Sequence, residues 1–323
     1  HLVDTQIAPH DAAWEAAGKV DKAMFRKAGA AGLLGMAIPE AHGGGGVDDF
    51  RYNAIIGEVV VGSGVGGSGM CITLHNDVCL PYFLSYCSDD QKDRWLPGLA
   101  DGSLMTAIAM TEPGTGSDLA GIATTARRDG DVYIVNGSKT FITNGINADL
   151  VIVVTRTSDD PHGGLTLLVV EDGMDGFTRG RNLDKMGLHA QDTAELFFTD
   201  VAVPVDNRLG EEGAAFFQLV NNLPQERLSI AVGAVAGAQA ALDITVAYAQ
   251  ERTAFGRPIG SFQNSRFRLA EAKTEVDIAR VFEDRLLEEH APGRPTNEQA
   301  AEATRWTTEM LRRVVDTGVQ LHG

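Results

Sequence analysis

The sequence predicts an α+β protein in which helices come first, one block of strands follows, and helices return. Residues 1–103 carry apolar residues at helical spacing, and residues 104–210 change to short apolar strands and turns. The helical period resumes after Gly213 and holds to the end of the chain. Because strands and helices do not alternate, a doubly wound parallel sheet is disfavoured. We therefore expect an N-terminal helical domain (1–103), a middle β domain (104–210) and C-terminal helices (211–323).

Two helices are predicted within the first hundred residues. One apolar stripe falls at i, i+3, i+4, i+7 and i+8, the spacing of a helix face. Its members are Tyr52, Ile55, Ile56, Val59 and Val60. Asp89-Asp90 before Gln91-Lys92 is typical of a helix start, and Pro97-Gly98 of its end.

Three glycines, Gly62, Gly64 and Gly67, match the G-x-G-x-x-G pattern of dinucleotide-binding loops. That pattern needs a strand before it and a helix after it. The preceding residues have helical period instead, so we interpret the glycines as a connection between two helices.

The middle block contains several strand signals. Thr106–Met110 is short and apolar, and Val132–Val135 and Thr140–Thr143 flank Asn136-Gly137, a pair that accepts the positive φ of a tight hairpin turn. We expect a hairpin there. Further strands are predicted at Leu150–Val154, Leu165–Val170 and Glu195–Phe198, and Pro204 ends the block. Beyond it, Leu228–Ala249 is rich in Ala, Gly and Val and should pack closely against neighbouring helices.

Charge and cysteine content exclude several classes of protein. A net charge of −17 disfavours nucleic acid or an anionic membrane as a general partner. The cysteines Cys71, Cys79 and Cys87 form no disulfide framework and fit a reducing compartment. Cys71, His75 and Cys79 share a helical spacing, but a metal site needs a fourth ligand, so we predict buried apolar cysteines and no metal. No apolar run approaches the roughly 18 residues of a membrane span.

The segment Met110–Asp118, with sequence MTEPGTGSD, follows a predicted strand. Its proline and two glycines are typical of a tight turn. Glycines also let backbone N–H groups approach an oxyanion or a flat ring closely. From the residues alone, a plain turn and a ligand-binding loop are equally supported.

Glu226 lies in the segment Leu223–Ser229, which we expect at the start of a helix. A carboxylate in the first turn interacts favourably with the helix dipole, an interpretation that needs no function. The flanking sequence is strongly apolar, and burial would raise the pKa of the carboxyl towards the range useful to a general base. Both interpretations are open from the residues alone.

Segments in order along the chain resemble signatures of the acyl-CoA dehydrogenase family, most of all its long-chain branch. Met110–Asp118 resembles the flavin-binding loop, and Phe141–Thr143 the second flavin-contacting strand. The further matching segments are Lys185–Gly187 with Asp192-Thr193, Gln250–Gly256 followed by Gln263, and Gln320–Gly323. The likeness covers nearly the whole chain.

This resemblance implies an N-terminal helical domain, a central β-barrel-like domain and a C-terminal four-helix bundle, with FAD between the β domain and the bundle. The residues implied to contact FAD are Ile108, Met110, Thr111, Gly116, Ser117, Phe141, Ile142, Thr143, Arg252, Phe255, Gln263, Gln320 and Gly323. Thr111 and Thr143 would hydrogen-bond the polar edge of the isoalloxazine ring. Arg252 and Gln263 would reach the FAD of a neighbouring subunit, which implies a homotetramer.

The implied activity is α,β-dehydrogenation of acyl-CoA thioesters to trans-2-enoyl-CoA in fatty-acid β-oxidation, with long or branched acyl chains. Glu226 would be the catalytic base, because its Gln-Glu-Arg-Leu context resembles the base segment of long-chain and isovaleryl-type members. Ser117, Phe217, Gln225 and Arg227 would contact the substrate. Electrons would pass to an electron-transfer flavoprotein, in the cytoplasm of a bacterium or the mitochondrial matrix of a eukaryote.

Three alternatives stay open at this stage. Other branches of the family place the base downstream of the last Gly-rich loop, beyond Gly323, which would remove that role from Glu226. An acyl-CoA oxidase would pass electrons to oxygen and release peroxide. A non-catalytic acyl-CoA-binding protein on the same fold would purify without colour.

Overall fold

The computed structural model describes residues 1–290 and 296–323, and its contacts divide them into two compact units. The first unit comprises His1–Asp48 and Gly67–Asn222, and the second comprises Asp49–Gly66 and Leu223–Gly323. The segment 49–66, which lies in the N-terminal third of the chain, therefore belongs with the C-terminal helices. The expected order of helices, one β block and helices is confirmed.

The helices of the described residues are α1 (Asp11–Ala17), α2 (Lys22–Ala30), α3 (Phe50–Gly62), α4 (Gly66–Thr73), α5 (Leu80–Tyr86), α6 (Asp89–Asp101), α7 (Ala215–Glu251), α8 (Gln263–His290) and α9 (Asn297–His322). The strands are β1 (Thr106–Ala109), β2 (Thr125–Asp129), β3 (Val132–Thr143), β4 (Leu150–Arg156), β5 (Leu165–Glu171), β6 (Phe177–Asn182), β7 (Thr193–Pro204), β8 (Arg208–Leu209), β9 (Thr253–Ala254) and β10 (Arg257–Pro258). A π-helical turn, Leu74–Cys79, joins α4 to α5.

The first unit is built on a mixed sheet with the strand order β6-β7-β3-β2-β4-β5-β8, and β1 pairs with β4. The pairs β1–β4 and β2–β4 are parallel, and the others are antiparallel. Alternate residues of β4 and β5 enter two different hydrophobic clusters, one shared with α5 and α6 and one shared with β1, β3 and β7. Burial on both faces explains why these two strands read as continuous apolar runs.

The predicted hairpin at Asn136-Gly137 is wrong, because both of its arms belong to the single strand β3. The register of β3 against β7 shifts between Val135 and Gly137, which marks a β-bulge. The Asn136 amide donates to the Asp200 carboxylate (2.9 Å), and its oxygen accepts from the Asp200 N–H (2.9 Å). These two bonds across to β7 hold the strand extended where the local sequence favours a turn.

The predicted end of α6 at Pro97-Gly98 is also wrong, since the helix continues to Asp101. Its start is as expected: Ser88 caps the helix and forms a reciprocal capping box with Gln91. The helix ends at Gly102, whose φ of 75° is the left-handed conformation that glycine adopts most readily.

The second unit packs α3, α8, α9 and the part of α7 after Asn222 around apolar clusters. Buried residues of α7 alternate small and branched side chains, namely Leu228, Ala231, Val232, Val235 and Ala238. A Cβ on Gly237 would lie 3.4 Å from Val61 and 3.5 Å from Leu311, so α3 and α9 both approach this position. Close packing of the Ala-, Gly- and Val-rich segment is confirmed.

The apolar stripe that predicts α3 is only partly buried within the unit. The buried residues of α3 are Phe50, Ala54, Gly57 and Val60. Tyr52, Ile55 and Val59 are instead about half exposed in the chain by itself, at 52%, 57% and 47%. The predicted helix is therefore confirmed, and Val60 is the member of its apolar stripe that lies in the buried face.

One described helix, α7, is long and apolar enough to cross a membrane by length and composition. In its most apolar window, 44% of the residues are buried within the protein. The core helix of a soluble protein can also meet this criterion of length and composition. By itself this is weak evidence for a span.

Candidate active site

The loop Met110–Asp118 follows β1 and contains a tight turn. The Glu112 N–H donates to the Thr115 carbonyl (2.9 Å), and the Thr115 N–H donates to the Glu112 carbonyl (3.2 Å). The Thr140 N–H donates to the Thr111 carbonyl (2.9 Å), which ties the start of the loop to β3. Thr111 is half-buried at this junction.

The two glycines of this loop face open space. A Cβ on Gly114 or Gly116 would meet no atom within 4 Å, and neither glycine has a positive φ. The folded chain itself therefore does not require glycine at either position. A flat ligand that approaches the backbone would require it.

Phe141 in β3 gives a second sign of a ligand surface. Its side chain is 65% exposed and its φ is 59°, a conformation that costs a bulky residue about 1–3 kcal/mol. The neighbouring Ile142 is buried in the sheet core, so only its backbone is available to a ligand. Thr143 is half-buried at the end of the strand, and Ile108 and Met110 are half-buried against the core at the other side of the loop. These groups would suit the ring of FAD.

A buried polar network fixes the chain after β3. Asn144 is fully buried with a φ of 61°, its amide donates to the Thr106 carbonyl (3.1 Å), and its oxygen accepts from Gln191 (2.8 Å). Asp192 accepts from the Ile146 N–H (2.7 Å), and burial raises the pKa of its carboxyl to about 6. The structure thus brings the segment of Asp192 and Thr193 against the end of β3, the strand predicted to contact the flavin.

Glu112 and Lys139, which the sequence analysis did not select, form a buried ion pair beneath the loop. Their side chains are 7% and 0% exposed, and the Lys139 Nζ lies 2.9 Å from Glu112 Oε1. Burial favours the neutral form of Glu112, but the hydrogen bond and charge of Lys139, together with hydrogen bonds from Thr124 and Ala123, outweigh it and lower the pKa of the carboxyl. Burial lowers the pKa of Lys139 to about 8, against the opposing effect of Glu112.

The predicted substrate residues of the first unit lie at its surface. Ser117 is exposed beside the turn. Phe217 near the start of α7 is 61% exposed, and its ring packs edge-on against Phe216, with centroids 5.7 Å apart. Phe216 in turn packs edge-on against His162, with centroids 4.7 Å apart.

Glu226 lies well inside α7, which begins at Ala215, so the expectation that it stands in a first helical turn is wrong. Proline is common at helix starts, but Pro224 here lies within the helix. Glu226 is half-buried, as are Gln225 and Arg227. The Thr304 hydroxyl of α9 donates to the Arg227 carbonyl (2.8 Å), which attaches this stretch to α9.

Gln225 meets the end of α8. Its amide oxygen is 3.2 Å from His290 Nε2, and the His290 ring packs edge-on against Phe50 with centroids 5.1 Å apart. The structure therefore places the predicted substrate residue Gln225 in a helix-packing contact.

The other predicted flavin residues of the second unit are exposed. Phe255 is 96% exposed at the tip of the β9–β10 hairpin, where both Phe255 and Gly256 have positive φ. Arg252 and Gln263 are exposed on either side of this hairpin, and Gln320 and Gly323 are exposed at the end of α9.

His75, one of the three residues that could resemble metal ligands, uses both ring nitrogens within the protein. Nδ1 is 2.8 Å from Thr106 Oγ1 and Nε2 is 3.0 Å from the Leu99 carbonyl. Burial lowers the pKa of the imidazole to about 4. In residues 1–290 and 296–323, no group of three or more His, Cys, Asp or Glu side chains could hold a metal ion.

Three models of one protein family match the chain: the N-terminal domain at residues 1–103, the middle domain at 107–201 and the C-terminal domain at 216–323 of acyl-CoA dehydrogenases. The chain belongs to the acyl-CoA dehydrogenase family. The pig (Sus scrofa) mitochondrial long-chain specific acyl-CoA dehydrogenase is 44% identical over 321 residues, covering 98% of this chain and 74% of the relative. The fold class and the family resemblance are thereby confirmed.

Solved structures of the family are also similar. The acyl-CoA dehydrogenase of Geobacillus kaustophilus superposes with a TM-score of 0.97 at 48% identity, over 99% of this chain and 84% of that chain. A glutaryl-CoA dehydrogenase of Mycobacterium smegmatis, solved in complex with FADH2, superposes with a TM-score of 0.90 at 28% identity. The match covers 100% of this chain and 81% of that chain. A chain in a structure of the electron-transferring flavoprotein of Acidaminococcus fermentans superposes with a TM-score of 0.94 at 34% identity. The match covers 100% of this chain and 84% of that chain.

Proposed function

We propose that this protein is an FAD-dependent acyl-CoA dehydrogenase that acts on long or branched acyl chains, with Glu226 as its general base. The carrying observation is that the three domain models of the family match this chain, which keeps a glycine loop open to a ligand and a half-buried carboxylate at Glu226. FAD, when bound, supplies the acceptor for the two electrons and the hydrogen that leave the β-carbon.

The FAD ring would be held by the loop and the strand of the first unit. Thr111 and Thr143 offer hydroxyls, and the open backbone at Gly116 and Ser117 offers N–H donors. Ile108, Met110 and Phe141 would contact the ring, with Ile142 acting through its backbone. Preorganised donors of this kind stabilise developing negative charge without rearrangement during the reaction.

Glu226 would accept the α-proton of the thioester, because an α-carbon is only weakly acidic and needs a positioned carboxylate. The half-buried setting reduces the hydration of the carboxylate and strengthens its interaction with the substrate. Arg227, Gln225, Ser117 and Phe217 would contact the acyl-CoA. For Gln225, binding would compete with its contact to His290.

The test compares Glu226→Gln with Asp243→Asn, a matched loss of one carboxylate on the same helix, where Asp243 is exposed and accepts from Gln239. Glu226→Gln should keep FAD but lose flavin bleaching by acyl-CoA and exchange of the substrate α-proton in D2O. The loss should reach at least ~10²–10⁴-fold, as for a general base. Normal bleaching in Glu226→Gln would assign the base to another residue.

Partners and assembly follow from the same proposal. Phe255, fully exposed with Arg252 and Gln263 nearby in sequence, supports a homotetramer in which these residues reach the FAD of a neighbouring subunit. An electron-transfer flavoprotein would accept the electrons, and peroxide release under air would instead indicate an oxidase. We place the enzyme in the cytoplasm of a bacterium or in the mitochondrial matrix of a eukaryote. Flavin bleaching across a panel of acyl-CoA chain lengths tests the substrate class.

A further inference from the structure

The buried pair of Glu112 and Lys139 connects three parts of the chain. Lys139 lies on β3, and its Nζ donates to the Met110 carbonyl (2.9 Å) and to Glu112 Oε1 (2.9 Å). The lysine therefore bonds the backbone at the start of the loop as well as a side chain within it.

The carboxylate of Glu112 reaches the residues that follow the loop and precede β2. Oε2 accepts from the Ala123 N–H (2.8 Å), and Oε1 accepts from the Thr124 N–H (2.9 Å). One side chain thus holds residues 112 and 123–124 together, while Pro113, Gly114 and Gly116 between them are exposed. The buried side of the loop is therefore anchored by hydrogen bonds, and its exposed side is accessible to a ligand.

The stability of the sheet alone does not account for a buried ion pair at this place. Replacing such a pair by apolar side chains of similar volume is often neutral or stabilising, because two charges must be removed from water. What an apolar pair cannot do is donate to the Met110 carbonyl or accept from two backbone N–H groups. The particular contribution of this pair is therefore the path of the loop backbone.

We propose that Glu112 and Lys139 are positioning residues that hold the Met110–Ser117 loop in its FAD-binding conformation before FAD arrives. This inference rests on the proposed function, because it takes the loop to be the flavin loop. A loop that is already ordered loses little conformational freedom on binding, so FAD affinity should depend on the pair. Neither residue needs to touch FAD.

The experiment uses the double variant Glu112→Gln/Lys139→Met, which removes both charges while keeping side-chain length. Losing both partners together avoids an unpaired buried charge, which would unfold a single variant more readily. The control is Lys22→Met, which breaks the pair of Lys22 Nζ and Asp149 Oδ1 (2.6 Å) in the same unit. Asp149 also accepts from the Met105 N–H (2.9 Å), so the control pair acts just before β1, whereas the loop follows β1.

The measurements are FAD dissociation constants by titration of the apoprotein, visible spectra of the bound flavin, and thermal unfolding of each apoprotein. In the double variant, FAD affinity should fall about tenfold to a hundredfold, the loss expected for one or two charge-assisted hydrogen bonds, and the flavin spectrum should shift. Lys22→Met should change FAD affinity less than about twofold by the same reasoning.

The inference is overturned if the double variant binds FAD with wild-type affinity and spectrum while only its apoprotein stability changes. It is also overturned if Lys22→Met weakens FAD binding equally, because the effect would then be general to the unit. Failure of the proposed function looks different: the wild-type protein itself would not bind FAD or bleach with acyl-CoA.

Discussion

Glu283 carries a sharp prediction, because it is a carboxylate at a core position of a helix. The other inward residues of α8 are apolar or small, namely Ala272, Val276, Ala279 and Leu286. Among the described residues, neither oxygen of Glu283 has a hydrogen-bond partner, and Arg280 Nη1 lies 3.4 Å from Oε2. A buried charge with so little compensation is costly, so the group is better accommodated in its neutral form.

Burial raises the pKa of Glu283 to about 8; the charge of Arg280 opposes this rise, and the charges of Glu58 and Asp284 add to it. The ordinary value of 4.5 applies to the unfolded chain. Between these pH values the folded state holds a proton that the unfolded state releases. The contribution of Glu283 to stability is therefore complete below pH 4.5 and is lost as pH rises through 8. The full difference is on the order of 3–5 kcal/mol.

Glu283→Gln is neutral at every pH and should remove this dependence. Its free energy of unfolding should be close to that of the wild type near about pH 5 and exceed it by on the order of 3–5 kcal/mol near about pH 9. Urea unfolding followed by circular dichroism, with equal FAD loading, measures the difference. Glu271→Gln is the control, since Glu271 is exposed on the same helix. If the Glu283→Gln difference stays constant from acid to alkaline pH, Glu283 does not hold a proton in the folded protein.

Two further predictions concern stability. Gly137→Ala would put a Cβ 2.5 Å from Thr124 Oγ1 and 2.8 Å from Thr124 Cα, at a residue whose φ is 149°. Thermal unfolding of the apoprotein should therefore show a free energy of unfolding lower by about 1–3 kcal/mol. Gly114→Ala, whose Cβ would enter open space, should change it hardly at all. His75 has its pKa lowered by burial from 6.5 to about 4, so its contribution to stability is present above pH 6.5 and is lost as pH falls through 4. The wild type should lose about 3 kcal/mol over this range, measured by urea unfolding, and His75→Gln should lack that part of the pH dependence although it is less stable at neutral pH.

Periodicity predicted most of the fold because burial imposes it. β4 and β5 are buried on both faces and therefore read as uninterrupted apolar runs, and α7 reads as a close-packed helix because its small residues admit its neighbours. The same reasoning also predicted α3, although Tyr52, Ile55 and Val59 of its apolar stripe are about half exposed. An apolar stripe predicts a helix, but it does not identify the surface against which that face of the helix packs.

Local signals failed where contacts distant in sequence oppose them. Pro97-Gly98 predicts the end of a helix and the segment Leu223–Ser229 the start of one, yet both Pro97 and Pro224 lie inside helices. Proline removes one hydrogen bond and disfavours the helix locally. In α6, the buried residues Trp95, Leu96 and Leu99 pack on both sides of the proline in sequence, and their burial sustains the helix. A rule based on one residue cannot register that packing.

In the candidate site, too, contiguous segments could be predicted from the sequence, whereas contacts between residues distant in sequence could not. The loop and the segment of Glu226 could be identified from the sequence because each is contiguous. The pair beneath the loop could not: Lys139 has the same strand parity as the buried Tyr133 and Val135, but this alternation holds only because β3 is one strand and not the predicted hairpin. Its partner Glu112 lies 27 positions earlier in a loop that has no period. The inward charge of Lys139 thus has a buried partner, whereas Glu283, at its core position in α8, has no hydrogen-bond partner among the described residues and favours its neutral form.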